Sequence, residues 1–164
     1  MRTKQLTIIT VLLLFTSIAS KAQIKGGVGL NFATDINNIG ISVNGQYDIN
    51  KKLGATASFT YYLENDNVNW YAFDFNATYN LMDIGGMGKL YGIGGLNLTI
   101  VKVDILGYYD WIGNTSTTDT NVGLNVGAGV NFDITEKISV APEAVLTLSN
   151  GSYLRIGARV MYAF

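Results

Sequence analysis

The chain has no histidine and no cysteine among its 164 residues, and a single proline. Without histidine and cysteine, Ser–His and Cys–His nucleophilic pairs have no members, and the usual transition-metal sites have no ligands. Carboxylate-only chemistry has no supporting motif, so the expectation is no catalysis, no cofactor and no metal. A chain without cysteine cannot be stapled by disulfides and must be held by hydrogen-bonded elements and burial. Charge is scarce as well. Charged residues make up 14% of the sequence, 11 basic against 12 acidic, which leaves no basic footprint for nucleic acid. Beyond the first residues no run has helical period, and the 19 glycines fit an all-β chain.

What the N-terminus does have is a basic start (Arg2, Lys4), an apolar middle from Leu6 to Ile18, and small residues at Ser20 and Ala22. These are the three parts of a secretory signal peptide, read as residues 1–22 with cleavage before Gln23. The apolar run is short for a membrane anchor of about 20 residues, and no cysteine follows it for lipoprotein attachment. The expected remainder is one domain over residues 23–164, with eight basic and twelve acidic side chains and a net charge of −4.

Within that domain the clearest signal is "NVGLNVGAGVNFDI", Asn121 to Ile134. Val122, Leu124, Val126, Ala128, Val130, Phe132 and Ile134 alternate with glycine, asparagine and aspartate. Strict alternation marks a β-strand with two unlike faces. Seven more segments repeat it: Ile24–Phe32, Ile39–Ile49, Leu53–Leu63, Trp70–Leu81, Lys89–Leu106, Ile138–Leu148 and Tyr153–Phe164. In Lys89–Leu106 the apolar parity slips near Gly94-Gly95, which predicts a bulge there. The outward Pro142 forfeits a ladder donor and predicts distortion beside Glu143. Short turns at 50–52, 82–88 and 135–137 alternate with connections at 33–38, 64–69, 107–120 and 149–152. That is the rhythm of an up-and-down barrel with both termini at one end.

Alternation alone does not say which face is wet. The apolar faces carry no charge, as a lipid-facing wall requires, since Lys or Arg at mid-membrane costs about 2–4 kcal/mol. The opposite faces are mostly small and polar, whereas a water-exposed surface holds about a quarter to a third charged residues. Aromatics gather near both strand ends: Tyr47, Tyr79, Tyr91, Phe132, Tyr162 and Phe164 at the turns, and Phe32, Phe59, Tyr61, Tyr71 and Phe73 at the loops. The reading is an all-β, eight-stranded antiparallel up-and-down transmembrane β-barrel. Two alternatives stay open, a solute pore and a soluble secreted barrel with the apolar face inward.

The C-terminal "GARVMYAF" offers Gly157, Val160, Tyr162 and the terminal Phe164 as alternating signal positions. It resembles the signal by which the barrel-assembly machinery recognises outer-membrane proteins. With "YGIGGLNL" (91–98), "VGLNVGAGVNF" (122–132) and "LRIGARVMYAF" (154–164), the chain resembles the OmpX/OmpA type of small outer-membrane barrel, of porin-family-like form. The ending "SKAQ" of the leader is similar to Bacteroidota exports. The resemblance implies a place in the Gram-negative outer membrane among lipid and lipopolysaccharide, and a role in envelope integrity or adhesion. Outer-membrane acyltransferases, deacylases and proteases of this form depend on histidine, which is missing.

Inward parity falls on Lys25, Asp48, Asp74, Asp133, Glu143, Arg155 and Arg159. A three-residue loop 150–152, with Gly151 or Ser152 in the left-handed position, would set Glu143 opposite Arg159 and Thr147 opposite Arg155. This predicts a lumen ion-pair cluster of Glu143, Arg159 and Arg155, joined by Asp74, read either as a polar plug or as a gate. The long connection holds Tyr108, Tyr109, Asp110, Trp111 and Asp119, candidates for contact with an extracellular partner; completing the outer aromatic belt is the competing reading.

Overall fold

The computed structural model describes residues 24–65, 68–105 and 115–164. Eight strands follow one another: β1 Ile24–Ala33, β2 Asn38–Asp48, β3 Leu53–Asn65, β4 Val68–Ile84, β5 Gly88–Ile105, β6 Thr115–Asp133, β7 Ile138–Leu148 and β8 Tyr153–Ala163. Each pairs antiparallel with its neighbour, and β8 returns to β1, so the sheet closes into a barrel.

The alternation decides which way the wall faces. Outward positions are apolar and open, with Val28 60%, Phe75 61% and Val122 69% exposed. Inward positions are polar and closed, with Asp74 2%, Asn125 1% and Thr147 0% exposed. This inverts the arrangement of a water-soluble domain and removes the reading of an apolar, ligand-carrying interior.

Three expectations about strand ends and irregularities change. The strands β4 and β6 run longer than their apolar alternation suggests, and Thr115–Thr120 belongs to β6 rather than to a loop. Polar, threonine-rich strand carries no apolar alternation, so periodicity missed it; the β-branched threonines favour extended backbone all the same. No bulge occurs at Gly94-Gly95, which pair in register with Ala77 and Asn76 on one side and Val126 and Asn125 on the other. The slip lies on β4, where Asn80 faces Tyr91 and Met82 faces Leu90, leaving Leu81 as the extra residue. The parity break in β5 has a different cause: Tyr91 and Ile93 point into the barrel, 4% and 7% exposed.

The β6–β7 ladder is interrupted at Val130/Pro142 and Asn131/Ala141 and resumes unchanged at Phe132/Val140. Pro142 supplies no N–H, which accounts for the gap beside Glu143. The β4–β5 turn places Gly85 and Gly86 at positive φ, where side chains with a Cβ are strained.

At the loop end the interior is capped by Ala33, Tyr62, Ala72 and Tyr153, with Ile36 and Trp70 packed against them. This apolar lid lies inside the polar lumen and was not anticipated, because the aromatic reading covered only the two belts and left out Tyr62 and Tyr153. Gly40 makes room for it. A Cβ there would sit 2.8 Å from the Tyr62 ring and 2.9 Å from Asn31 Oδ1.

Candidate functional site

The candidate site is the lumen, and its centre is Asp74. This β4 carboxylate accepts from Arg155 Nη1 at 2.6 Å and Nη2 at 2.9 Å, from Asn97 Nδ2 and Asn125 Nδ2 at 2.8 Å each, and from Ser58 Oγ at 3.2 Å. The bidentate Arg155 pair is the charge-assisted geometry that fixes a guanidinium most firmly. Arg155 Nη2 also donates to Asn125 Oδ1 at 2.9 Å and Thr147 Oγ1 at 3.1 Å. Thr99 joins Asn97 at 2.7 Å and the Tyr153 hydroxyl at 3.1 Å. One network thus ties β3, β4, β5, β6, β7 and β8 across the barrel.

A second layer lies toward the turns. Arg159 Nη2 donates to Glu143 Oε1, which also accepts from the Tyr91 hydroxyl at 2.5 Å. Gly129 leaves the space these groups occupy: a Cβ there would meet the Tyr91 hydroxyl at 2.6 Å and Glu143 Cγ at 2.8 Å. Below it Lys25 Nζ pairs with Asp48 Oδ2 at 3.0 Å, and Gln46 Nε2 donates to Asp48 Oδ1 at 2.6 Å. Asp133 accepts from Asn131 Nδ2 at 2.8 Å.

The expected single cluster is therefore two separate pairs, Arg155 with Asp74 and Arg159 with Glu143. The expected register is also wrong. Glu143 faces Gly157, Arg159 faces Ala141, Thr147 faces Tyr153, and Arg155 faces Val145. The connection has four residues, 149–152, closed by Ser152 Oγ accepting from Ser149 N at 3.3 Å and Ser149 Oγ donating to Gly151 O at 3.0 Å. Gly151 is not at positive φ. Because the error is two residues, face parity survives, and Arg159 reaches Glu143 diagonally rather than across.

Sequence reasoning missed Asn97, Asn125, Ser58 and Tyr91. Neutral amides and hydroxyls at inward parity were visible, but nothing in spacing says which of them a buried charge will recruit. Tyr91 was assigned to the lipid-boundary aromatics near the turns; its inward direction follows from its place in β5 opposite Gly129.

The surface candidates separate. Tyr108, Tyr109, Asp110 and Trp111 lie outside the described residues. Asp119 sits in β6 opposite Val101, its carboxylate accepting from Thr120 N and Asn121 Nδ2, each at 3.0 Å. In the C-terminal strand Val160, Tyr162 and Phe164 are outward, 47%, 41% and 74% exposed. Gly157 has the opposite parity, faces Asn31 of β1, and leaves no room for a Cβ against Leu30 O. It does not belong to the same alternating set. Among the described residues no cluster of acidic side chains is arranged to hold a metal.

The model for the outer membrane protein beta-barrel domain matches residues 8–164. The chain belongs to this family. Solved structures of outer-membrane barrels share the fold. Neisserial surface protein A superposes with a TM-score of 0.66 at 18% identity, over 86% of this chain and 96% of that one. The attachment invasion locus protein Ail of Yersinia pestis does so with 0.55 at 17%, over 85% and 96%. The outer membrane enzyme PagL does so with 0.54 at 13%, over 85% and 99%. No curated protein matches the sequence. For an outer membrane protein beta-barrel domain the exposed apolar wall has a plain purpose. It is the surface in contact with lipid, and the polar lumen is the interior.

Proposed function

We propose that this barrel is a plugged, non-catalytic outer-membrane protein with a structural or surface-interaction role, in envelope integrity or adhesion. The observation that carries the plug is the Asp74–Arg155 network, which crosses the lumen and engages six of the eight strands. Eight strands leave an interior that side chains fill. At the level of the two ion pairs the free space is about 60 Å³. The Tyr62–Tyr153 lid closes the loop end above it. Non-catalysis rests on the sequence, which offers neither histidine nor cysteine.

In this reading residues 1–22 are removed on export and the short turns face the periplasm. The aromatic rings toward both strand ends, such as Tyr61 with Tyr71 and Tyr162 with Phe164, form girdles at the lipid boundaries. Val160, Tyr162 and Phe164 serve recognition by the assembly machinery. In the same reading Asp119 lies at the outer end, and with it the sequence candidates Tyr108, Tyr109, Asp110 and Trp111 serve contact with lipopolysaccharide and an extracellular partner.

A pore is the second reading. It is favoured by a vestibule of about 440 Å³ at the turn end, lined by Lys25, Asp48, Lys89, Tyr91, Asn131 and Asp133 among others. Planar-bilayer recording of the purified protein, checked for a mobility shift on boiling in SDS, separates the two. A heat-modifiable protein that gives no stepwise conductance supports the plug. Reproducible single-channel steps would overturn it and install the pore.

A further inference from the structure

The outer wall is not uniformly convex. On β2, β3 and β4, near the turns, the outward positions are Gly45, Ala55, Ala57 and Ala77, and the register sets Gly45 beside Ala57 and Ala55 beside Ala77. Tyr47 and Phe75 stand at the sides. The result is an apolar groove of about 820 Å³ in the membrane-facing surface.

The groove ends at Leu53, directly after the turn Asn50-Lys51-Lys52. That turn is held rigidly. Asn50 Oδ1 accepts from Lys52 N at 2.8 Å and Leu53 N at 2.9 Å, and Asn50 N donates to Leu53 O at 3.0 Å. From β4, Asn80 donates its backbone N–H to Lys52 O and its side-chain Nδ2 to Lys51 O, each at 2.8 Å. Neither lysine forms an ion pair among the described residues. At the β6–β7 turn, by contrast, Lys137 is engaged: its Nζ donates to the Tyr162 hydroxyl at 3.4 Å and lies 5.6 Å from that ring's centroid.

We propose that this groove holds one glycerophospholipid, an acyl chain lying over Gly45, Ala55, Ala57 and Ala77 and the phosphate at Lys51 and Lys52. A trough in a wall surrounded by hydrocarbon loses dispersion contacts unless something fits it, and a chain in the adjoining leaflet is apolar and flexible enough to do so. Adjacent unpaired lysines at the membrane boundary attract an anionic headgroup. The choice of a phospholipid over lipopolysaccharide rests on the proposed orientation, with the turn end in the phospholipid leaflet.

The test is native mass spectrometry of the protein released from nanodiscs of phosphatidylethanolamine and phosphatidylglycerol. The unaltered protein is expected to keep one phospholipid through detergent stripping. Ala55→Leu with Ala57→Phe, which fills the groove, should lower retention at least tenfold. Lys51→Gln with Lys52→Gln should lower phosphatidylglycerol retention several-fold. The mobility shift on boiling shows that each variant is folded. Equal retention by the filled and unaltered proteins, no retained lipid, or a second copy of the chain in its place would each overturn the proposal. A Lys51→Cys variant, labelled in cells by a membrane-impermeant maleimide, tells the two possible failures apart. Labelling without permeabilisation overturns the orientation, and the phospholipid assignment with it. Labelling only after permeabilisation, combined with no lipid kept by the unaltered protein or equal retention by the filled variant, overturns the groove alone.

Discussion

Removing the Asp74 carboxylate should expose how the lumen is held. Asp74 and Arg155 are 2% and 7% exposed, so neither charge has water to fall back on. In Asp74→Leu, Arg155 Nη1 loses its bond of 2.6 Å, and Nη2 keeps only Asn125 Oδ1 and Thr147 Oγ1. Asn97 Nδ2 loses its acceptor, while Asn125 Nδ2 keeps Asn76 Oδ1 at 2.9 Å. Stranding one member of a buried pair costs about 3–5 kcal/mol, and Asp74→Leu belongs near the middle of that range. Arg155→Met should cost less, about 3 kcal/mol, because Asn97, Asn125 and Ser58 still donate to the carboxylate. In the double variant no charge is left unpaired. Its destabilisation should fall short of the sum of the singles by at least about 2 kcal/mol. The assay is reversible urea unfolding in phospholipid vesicles, followed by tryptophan fluorescence and checked by gel mobility. Additivity of the two substitutions within about 0.5 kcal/mol would refute the pairing.

The Glu143–Arg159 pair should behave likewise but more weakly. Glu143→Gln and Arg159→Gln are each expected to destabilise, by roughly 1–3 kcal/mol, and to couple measurably in a double-mutant cycle. Gly129→Ala should cost about 1–3 kcal/mol by crowding the Tyr91 hydroxyl, and Tyr91→Phe in the same chain should recover part of it; urea midpoints that show no recovery would place the clash elsewhere. On the outer face, Val126→Arg should destabilise by about 2–4 kcal/mol and Ile134→Arg by less than about 1 kcal/mol, because the cost falls toward the membrane boundary. Equal costs at the two positions would contradict the membrane depth assigned to them.

The number of strands, their order and the direction of each face were legible in the sequence because period-two alternation carries all three at once. The charged residues were also assigned to the correct side. What failed depended on distances along the strand rather than on parity. The β7–β8 register turned on whether three or four residues make the connection, and the serine hydrogen bonds that close the longer loop leave no mark in an apolar pattern. Tyr91 and Ile93 broke the rule that apolar side chains point outward, and the break was read as a bulge. Their inward direction goes with the glycines paired opposite them on β6, Gly129 for Tyr91 and Gly127 for Ile93, a feature of the folded barrel rather than of the local segment. The division of four charges into two pairs escaped for the same reason, since Asp74 and Arg155 are brought together only by closure of the sheet.

That closure has a kinetic consequence. β1 finds its second partner in β8, with Phe164 N donating to Ile24 O at 3.2 Å and Gly29 facing Arg159. The first strand to emerge therefore waits for the last, and its outer edge stays unsatisfied until almost the entire polypeptide has been delivered. The hairpins between can form locally and early, whereas the seam is the contact of greatest sequence separation and carries the largest loop-closure penalty. A chain shortened by its final strand would be left as an open sheet with two free edges, each a template for pairing with another molecule. Before the seam forms, the exported chain is in that same open condition, so its passage to the membrane depends on something that keeps those edges apart.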